Sequence, residues 1–327
     1  MCIRDRSLRL FSKFNAEVTY YKSNTYNQTF LGNLPESTGY NSIYLQAGNV
    51  ENRGWEASFG YSDRFKNGLS ISSTLTFSKN INEIKEMVKD YNTEVMGVPV
   101  SINIPEVLKD KGRTILKEGG SIHDIYATRF FKKDSQGYVL VSSDGKYEME
   151  DGDPVYLGKT APDFNMGWNN AISYKGFGLS FLINGRFGGV VTSSTEAILD
   201  RYGVSQRTAD ARESEGALFP GQGRVDAKTY YQMIGTGNYQ TSGYYVYSAT
   251  NIRLQELTFS YTMPNKWFGN VLKDVSVSFI ANNPWMLYCK APFDPELTPS
   301  TATYGQGNDY FMQPSVRSFG FGLKFKL

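Results

Sequence analysis

Apolar and polar residues alternate with a period of two through much of this chain. The last fifteen residues, QPSVRSFGFGLKFKL, show it most clearly. Phe319, Phe321, Leu323, Phe325 and Leu327 are large and apolar, whereas Ser318, Gly320, Gly322, Lys324 and Lys326 are small or charged. Successive side chains of a strand point to opposite faces, so this period predicts a strand with one oily and one polar face. A soluble protein would turn the oily face to a core. An outer-membrane barrel would turn it to lipid and line its lumen with the small polar face.

The same pattern recurs upstream. Leu8 to Tyr20 reads as one strand of barrel length, with Leu8, Leu10, Phe14, Ala16, Val18 and Tyr20 on one face. A loop with Gly32-Asn33, Pro35 and Gly39 leads to about Gly48. The next strand sets Trp55, Ala57, Phe59 and Tyr61 against Glu56, Ser58, Gly60 and Ser62. Asn67-Gly68 is a hairpin signal. It leads into Leu69, Ile71, Leu75 and Phe77, backed by a Ser/Thr face too small and polar for a sandwich interior. A long insertion follows, about 79–165. Within it INEIKEMVKDY reads as a short helix, and PEVLKDKGRT and SSDGKYEMEDGD as loop and hairpin pieces. Strands resume with Trp168, Asn170, Ile172 and Tyr174, a Lys175-Gly176 turn, then Phe177, Leu179, Phe181 and Ile183. After a second insertion, 188–250, a strand over Asn251–Thr262 carries Leu257, Phe259 and Tyr261, and its parity slip near Gln255 predicts a bulge. A turn at Met263-Pro264 leads to Val275, Val277, Phe279 and Ala281, and a loop over 284–312 precedes the final strand.

Eight strands are legible, and their connections alternate in length. Short turns fall at about 63–68, 175–176 and 263–271, and long loops at about 22–49, 79–165, 187–250 and 283–312. Bacterial barrels place short turns on the periplasmic side and long loops outside the cell. The predicted fold is therefore all-β: an antiparallel transmembrane β-barrel with long extracellular loops.

Composition supports this. The chain is 15% aromatic, with 23 Tyr and 21 Phe, residues that gather where one end of a ring is wet and the other oily. A net charge of +2 offers no basic field for nucleic acid. The apolar runs fall short of the ~18 residues of a spanning helix. Two cysteines and one histidine hold neither a disulfide framework nor a zinc site, so no metal or cofactor is expected. MCIRDR is charged and no apolar segment follows it, unlike a secretory signal. Residues 1–7 are therefore expected to be foreign or mis-started, and 8–327 to be the tail of a longer barrel protein.

Five stretches, in order, resemble the SusC/RagA class of TonB-dependent outer-membrane transporters. Ala47–Tyr61 is similar to its Asn-x-Gly-x-Glu strand, here Asn52, Gly54 and Glu56. Gly152–Gly189 resembles a proline-led strand that turns at Tyr-Lys-Gly-Phe. Ile252–Pro264 resembles its Arg-Leu…Tyr-x-x-Pro strand, here Arg253, Tyr261 and Pro264. Asn282–Leu297 resembles an Asp-Pro-Glu loop, here Asp294, Pro295 and Glu296. The end resembles Pro-x-x-Arg-x-x-x-x-Gly, with Arg317 and Gly322. The resemblance covers residues 8–327. It implies a barrel of 22 strands, of which these would be the last eight, with a plug domain and TonB box elsewhere. It also implies the outer membrane of a Gram-negative bacterium, contact with its lipids, and import of oligosaccharides or peptides. The implied partners are the TonB-ExbB-ExbD complex and a SusD-like surface lipoprotein. A passive porin or an adhesin-type barrel is the alternative.

No catalytic set emerges. Gly152–Thr160 has one residue too many between its glycines for a phosphate loop, and Pro154 intervenes. Glu148, Glu150, Asp151 and Asp153 lack EF-hand spacing and read as a solvated turn. His123-Asp124 has no nucleophile elbow to serve. Asp294 and Glu296 sit two apart around a proline, and glycosidase carboxylates must face each other across a bond. A non-enzymatic protein is expected. Among the loop aromatics, Tyr230, Tyr231 and Tyr239 are candidates to stack on sugars or pack against peptides, while Tyr244, Tyr245 and Tyr247 read as girdle or strand extension.

Overall fold

The structure, a computed structural model, describes residues 2–33, 39, 42–87, 90–95, 98–103, 109–110, 114–143, 147–219, 223–235, 243–268, 272–297 and 306–326. Nine antiparallel strands form its wall: β1 (Cys2–Leu10), β2 (Phe14–Asn33), β3 (Ser42–Arg64), β4 (Ser70–Glu86), β5 (Phe164–Tyr174), β6 (Phe177–Phe187), β7 (Asn251–Thr262), β8 (Lys273–Cys289) and β9 (Ser318–Lys326). They pair in chain order, so β1 and β9 are open edges. In lipid, unpaired backbone groups at such edges are costly.

Cross-strand register keeps the two faces separate. One row runs Leu179, Phe259, Phe279, Phe321, and the next Phe177, Tyr261, Val277, Leu323. Between them on the other face lies Gly178, Ser260, Ser278, Gly322. The apolar rows are exposed, Phe321 by 85%, together with Phe59, Leu75, Trp168 and Phe177. An apolar surface this continuous is not sustained in water, so it faces lipid and the glycine-serine face lines the lumen. β1 interrupts the pattern, because Arg4 and Arg6 align with Tyr20 and Val18 on the apolar face.

The sheet has nine strands because Leu8–Tyr20 is two strands. Phe11 and Ser12 take φ of 51° and 54°, closing a hairpin that pairs Leu10 with Phe14. Alternation alone misses this turn, since it keeps the parity of its flanks. The expected helix over INEIKEMVKDY is also overturned. Ile81–Glu86 continues β4, with Asn82 opposite Asn52 and Ile84 opposite Val50. Pairing with β3 satisfies that backbone, and tertiary context overrides local helix preference. The first long loop is mostly a tall hairpin, paired up to Asn33 and Ser42. The bulge near Gln255 is present: Leu182 and Ile183 pair with Glu256 and Leu254. Its effect is to re-aim the residues beyond it, turning Arg253 to the side of Asn184.

Short connections lie at one end of the wall and the long ones at the other. At the tightest, Lys175 and Gly176 have φ of 47° and 87°. A Cβ on Gly176 would stand 2.5 Å from the Thr262 carbonyl oxygen. Gly176→Ala is therefore expected to cost at least about 1 kcal/mol, read as a lower urea midpoint for the folded barrel.

The two large insertions pack together above the wall. The first contributes the paired strands Asp124–Phe131 and Met149–Lys159. The second contributes three helices, α1 (Ser194–Arg201), α2 (Gln206–Glu213) and α3 (Ala227–Ile234). Each begins at a side-chain cap, Ser193, Ser205 and Asp226 respectively. Phe131 and Tyr147 of the first insertion meet Phe219, Tyr230 and Tyr244 of the second in one aromatic core.

Candidate functional site

The Asn-x-Gly-x-Glu stretch of β3 places Asn52, Gly54 and Glu56 on one face of one strand. Each has a separate task. Asn52 Oδ1 accepts from Asn80 Nδ2 at 3.2 Å and from Asn82 Nδ2 at 3.1 Å. Asn82 Oδ1 in turn accepts from Ser121 Oγ at 2.9 Å and from the Ile122 amide at 3.1 Å, which ties the first insertion to the wall. Gly54 leaves room for the Tyr21 ring, whose hydroxyl donates to Asn80; a Cβ there would meet that hydroxyl at 2.4 Å. Glu56 opens onto a groove.

That groove, about 510 Å³ in volume, crosses the lumen face of β2 to β6. Glu17, Glu56, Asn165, Asn184 and Arg186 line it, and Glu296 reaches it from the last long loop. Small floor residues such as Ser58, Thr76 and Gly167 keep it open. Arg186 is its one unusual group. A guanidinium Nη donates to the Thr160 carbonyl, while the buried Nε has no partner. Buried donors are ordinarily satisfied, so this Nε is left with hydrogen-bonding capacity beside the groove. Alternation finds the face these residues share but not their meeting, because they come from different strands.

Arg253, Asp294 and Glu296, far apart in sequence, converge. Arg253 Nη2 donates to Asp294 Oδ1 at 2.8 Å and Nη1 to Oδ2 at 3.3 Å, with both side chains nearly buried. Ser315 donates to the same carboxylate, and Arg253 Nη2 lies 3.3 Å from Glu296. Burial alone would raise the Asp294 pKa, but the hydrogen bonds from Arg253 and Ser315 outweigh it and hold the carboxyl below its usual range. The Glu296 amide donates to Asp294 Oδ1 at 3.1 Å, across Pro295. The clasp thus pins the loop after β8 against β7. Arg317 lines a smaller cavity beside it, with Arg253 and Asp294. Tyr261 and Pro264 serve the turn end instead: Tyr261 packs on Phe177 with ring centroids 4.5 Å apart, and the Pro264 carbonyl accepts from the Trp267 amide. Gly322 lies under Ser278 on the lumen face.

Tyr230 and Tyr231 are 5% and 8% exposed and belong to the aromatic core of the insertions, their rings 5.1 Å apart. Tyr239 lies outside the described residues. Tyr245, read from sequence as girdle or strand extension, is instead fully buried, its hydroxyl donating to Asp200 Oδ2 at 3.0 Å. Burial, then the nearby Asp200 charge, push its phenol pKa up. Tyr245→Phe should cost about 1–3 kcal/mol, since a buried carboxylate loses a donor. Faster amide hydrogen exchange in α1, with the wall unchanged, is the expected readout. His123 is partly buried with Nδ1 unpartnered, and desolvation lowers its pKa.

No protein-family model matches the chain. It is 26% identical over 330 residues to TonB-dependent receptor P3 of Formosa agariphila, covering 94% of this chain and 32% of the relative. It is 23% identical over 312 residues to TonB-dependent receptor SusC of Bacteroides thetaiotaomicron, covering 90% and 28%. In fold it matches the RagAB peptide importer in its "closed-closed" state with a TM-score of 0.67 at 16% identity, over 98% of this chain and 35% of that one. The chain spans about a third of the length of these proteins. The two-faced wall and these likenesses agree: over nearly its whole length the chain is similar to TonB-dependent receptors, SusC among them, and it shares the fold of the RagAB importer's barrel.

Proposed function

We propose that the chain forms part of the barrel wall and the surface loops of an active nutrient importer in the outer membrane of a Gram-negative bacterium. The importer takes up oligosaccharides or peptides, is energised through the TonB-ExbB-ExbD complex and works with a SusD-like surface lipoprotein. The observation that carries this reading is the lumen groove with its unpartnered Arg186 donor, roofed by loops that are packed and clasped. A passive pore needs an open lumen, whereas a capturing importer needs shaped walls and fixed loops. The relatives support the reading, two being named TonB-dependent receptors and one a peptide importer. No step of chemistry is assigned, and the relatives' names are those of receptors and importers.

The test is uptake of labelled oligosaccharides and peptides by cells expressing the full-length protein, with and without a protonophore. Uptake of one class should stop both when the proton gradient collapses and when TonB is deleted. Uptake that persists under both conditions would replace this reading with a passive pore.

A further inference from the structure

A second cavity, of about 320 Å³, lies among the three helices of the second insertion and shares no residue with the groove. Its floor is buried and made by Asp200, Thr208 and Tyr231. Its rim carries three exposed cations, Arg201, Arg212 and Lys228, one from each helix.

The charges do not balance. Among the described residues Asp200 is the one acid lining the cavity, with Asp226 near Lys228 outside it. Asp200 is already engaged: Arg207 Nη1 donates to Oδ2 at 3.2 Å, the Tyr245 hydroxyl donates to the same oxygen, and Ser205 donates to Oδ1. None of the three rim cations makes a salt bridge among the described residues. Arg201 lies over the Tyr202 ring at 5.7 Å, and Arg212 donates to the Gly203 carbonyl at 2.9 Å, so both are held in place without a carboxylate in contact. Three like charges around one concavity repel each other, and an anion seated between them relieves that repulsion. Guanidinium groups also match a carboxylate in two-point hydrogen bonding.

We propose that this cavity binds the carboxylate of a small anionic nutrient fragment, with Arg201, Arg212 and Lys228 around the charge and Tyr231 beneath it. The proposal rests on the import reading and narrows its substrate to ligands that carry a negative charge. Two sources present the same group, a peptide C-terminus and a uronic acid.

Calorimetric titration of the full-length protein in detergent separates them. The probes are trialanine and its C-terminal amide, and a glucuronic-acid disaccharide and its neutral glucose counterpart. One acid should bind more tightly than its neutral partner, and added salt should weaken it. R201Q/K228Q should lose roughly ten-fold or more for that acid and match wild type for the neutral probe. These two residues are exposed and their loss leaves the Asp200 network intact, which unchanged amide protection of α1 would verify. If acids and neutral partners bind alike, or if the double variant binds the acid as wild type does, the assignment is overturned. Energised uptake of neutral probes alongside that result would leave the import reading standing. Absence of energised uptake of any probe would remove that reading instead.

Discussion

Asp294→Ala is expected to cost about 3–5 kcal/mol and to free the loop after β8 from the wall, because it strands a buried guanidinium. Arg253 has few alternatives. Its Nε donates to Asn251 at 3.3 Å, Ser315 is a neutral neighbour, and Glu296 is more exposed and touches one nitrogen only. Limited proteolysis of the folded protein should show new cleavage within 290–317 and no change in the short turns. The pH dependence has a definite sign. The Asp294 carboxyl has its pKa held low in the folded state, so its stabilisation is full above the unfolded carboxylate value of about 4. It is lost as pH falls through the lowered folded value. Wild type should therefore lose loop protection on acidification, while the alanine variant should be unprotected throughout and show no such limb. Unchanged protease resistance in the variant would show that the loop is held by something other than the clasp.

Phe321→Arg is the second large effect. Phe321 is the most exposed apolar residue of the wall, in mid-strand, paired with Phe279 and with ring centroids 5.5 Å apart. A cation on the lipid face near the midplane costs about 2–4 kcal/mol. The folded band on a heat-modifiability gel should shrink accordingly. Lys324→Glu on the other face of β9 serves as the control and should stay within about 0.5 kcal/mol. Equal loss in both variants would mean that the two faces of β9 have been misassigned.

Much of this architecture is legible in the sequence. Most wall strands, their facing, the bulge near Gln255 and the alternation of connections follow from period-two patterning, because a lipid boundary imposes one rule on every spanning residue. That patterning merges β1 with β2. The rule stops working where the chain leaves the membrane. Local preference at Ile81–Glu86 favours a helix, yet the segment pairs with β3. Period-two patterning gives no sign of the helices at Ser194, Gln206 and Ala227, although Ser193 three residues before Glu196 is a recognisable capping signal. Tyr230 and Tyr231, candidates for ligand contact by their crowding, pack in the aromatic core, and Tyr231 also reaches the floor of the helix cavity. Tyrosines clustered in sequence do not say whether they face a ligand or each other.

The sequence by itself determined the strand pattern, the two faces of the wall and the ordered motifs that point to the family. Each depends on near neighbours in the chain or on a single environment met by every strand. Only the tertiary structure decided which distant groups meet. It joined Arg253 to Asp294, Glu56 to Arg186 across one groove, and Arg201, Arg212 and Lys228 around one cavity. These juxtapositions depend on register between strands and on how capped helices pack. Both are set by long-range contacts, for which periodicity carries no signal.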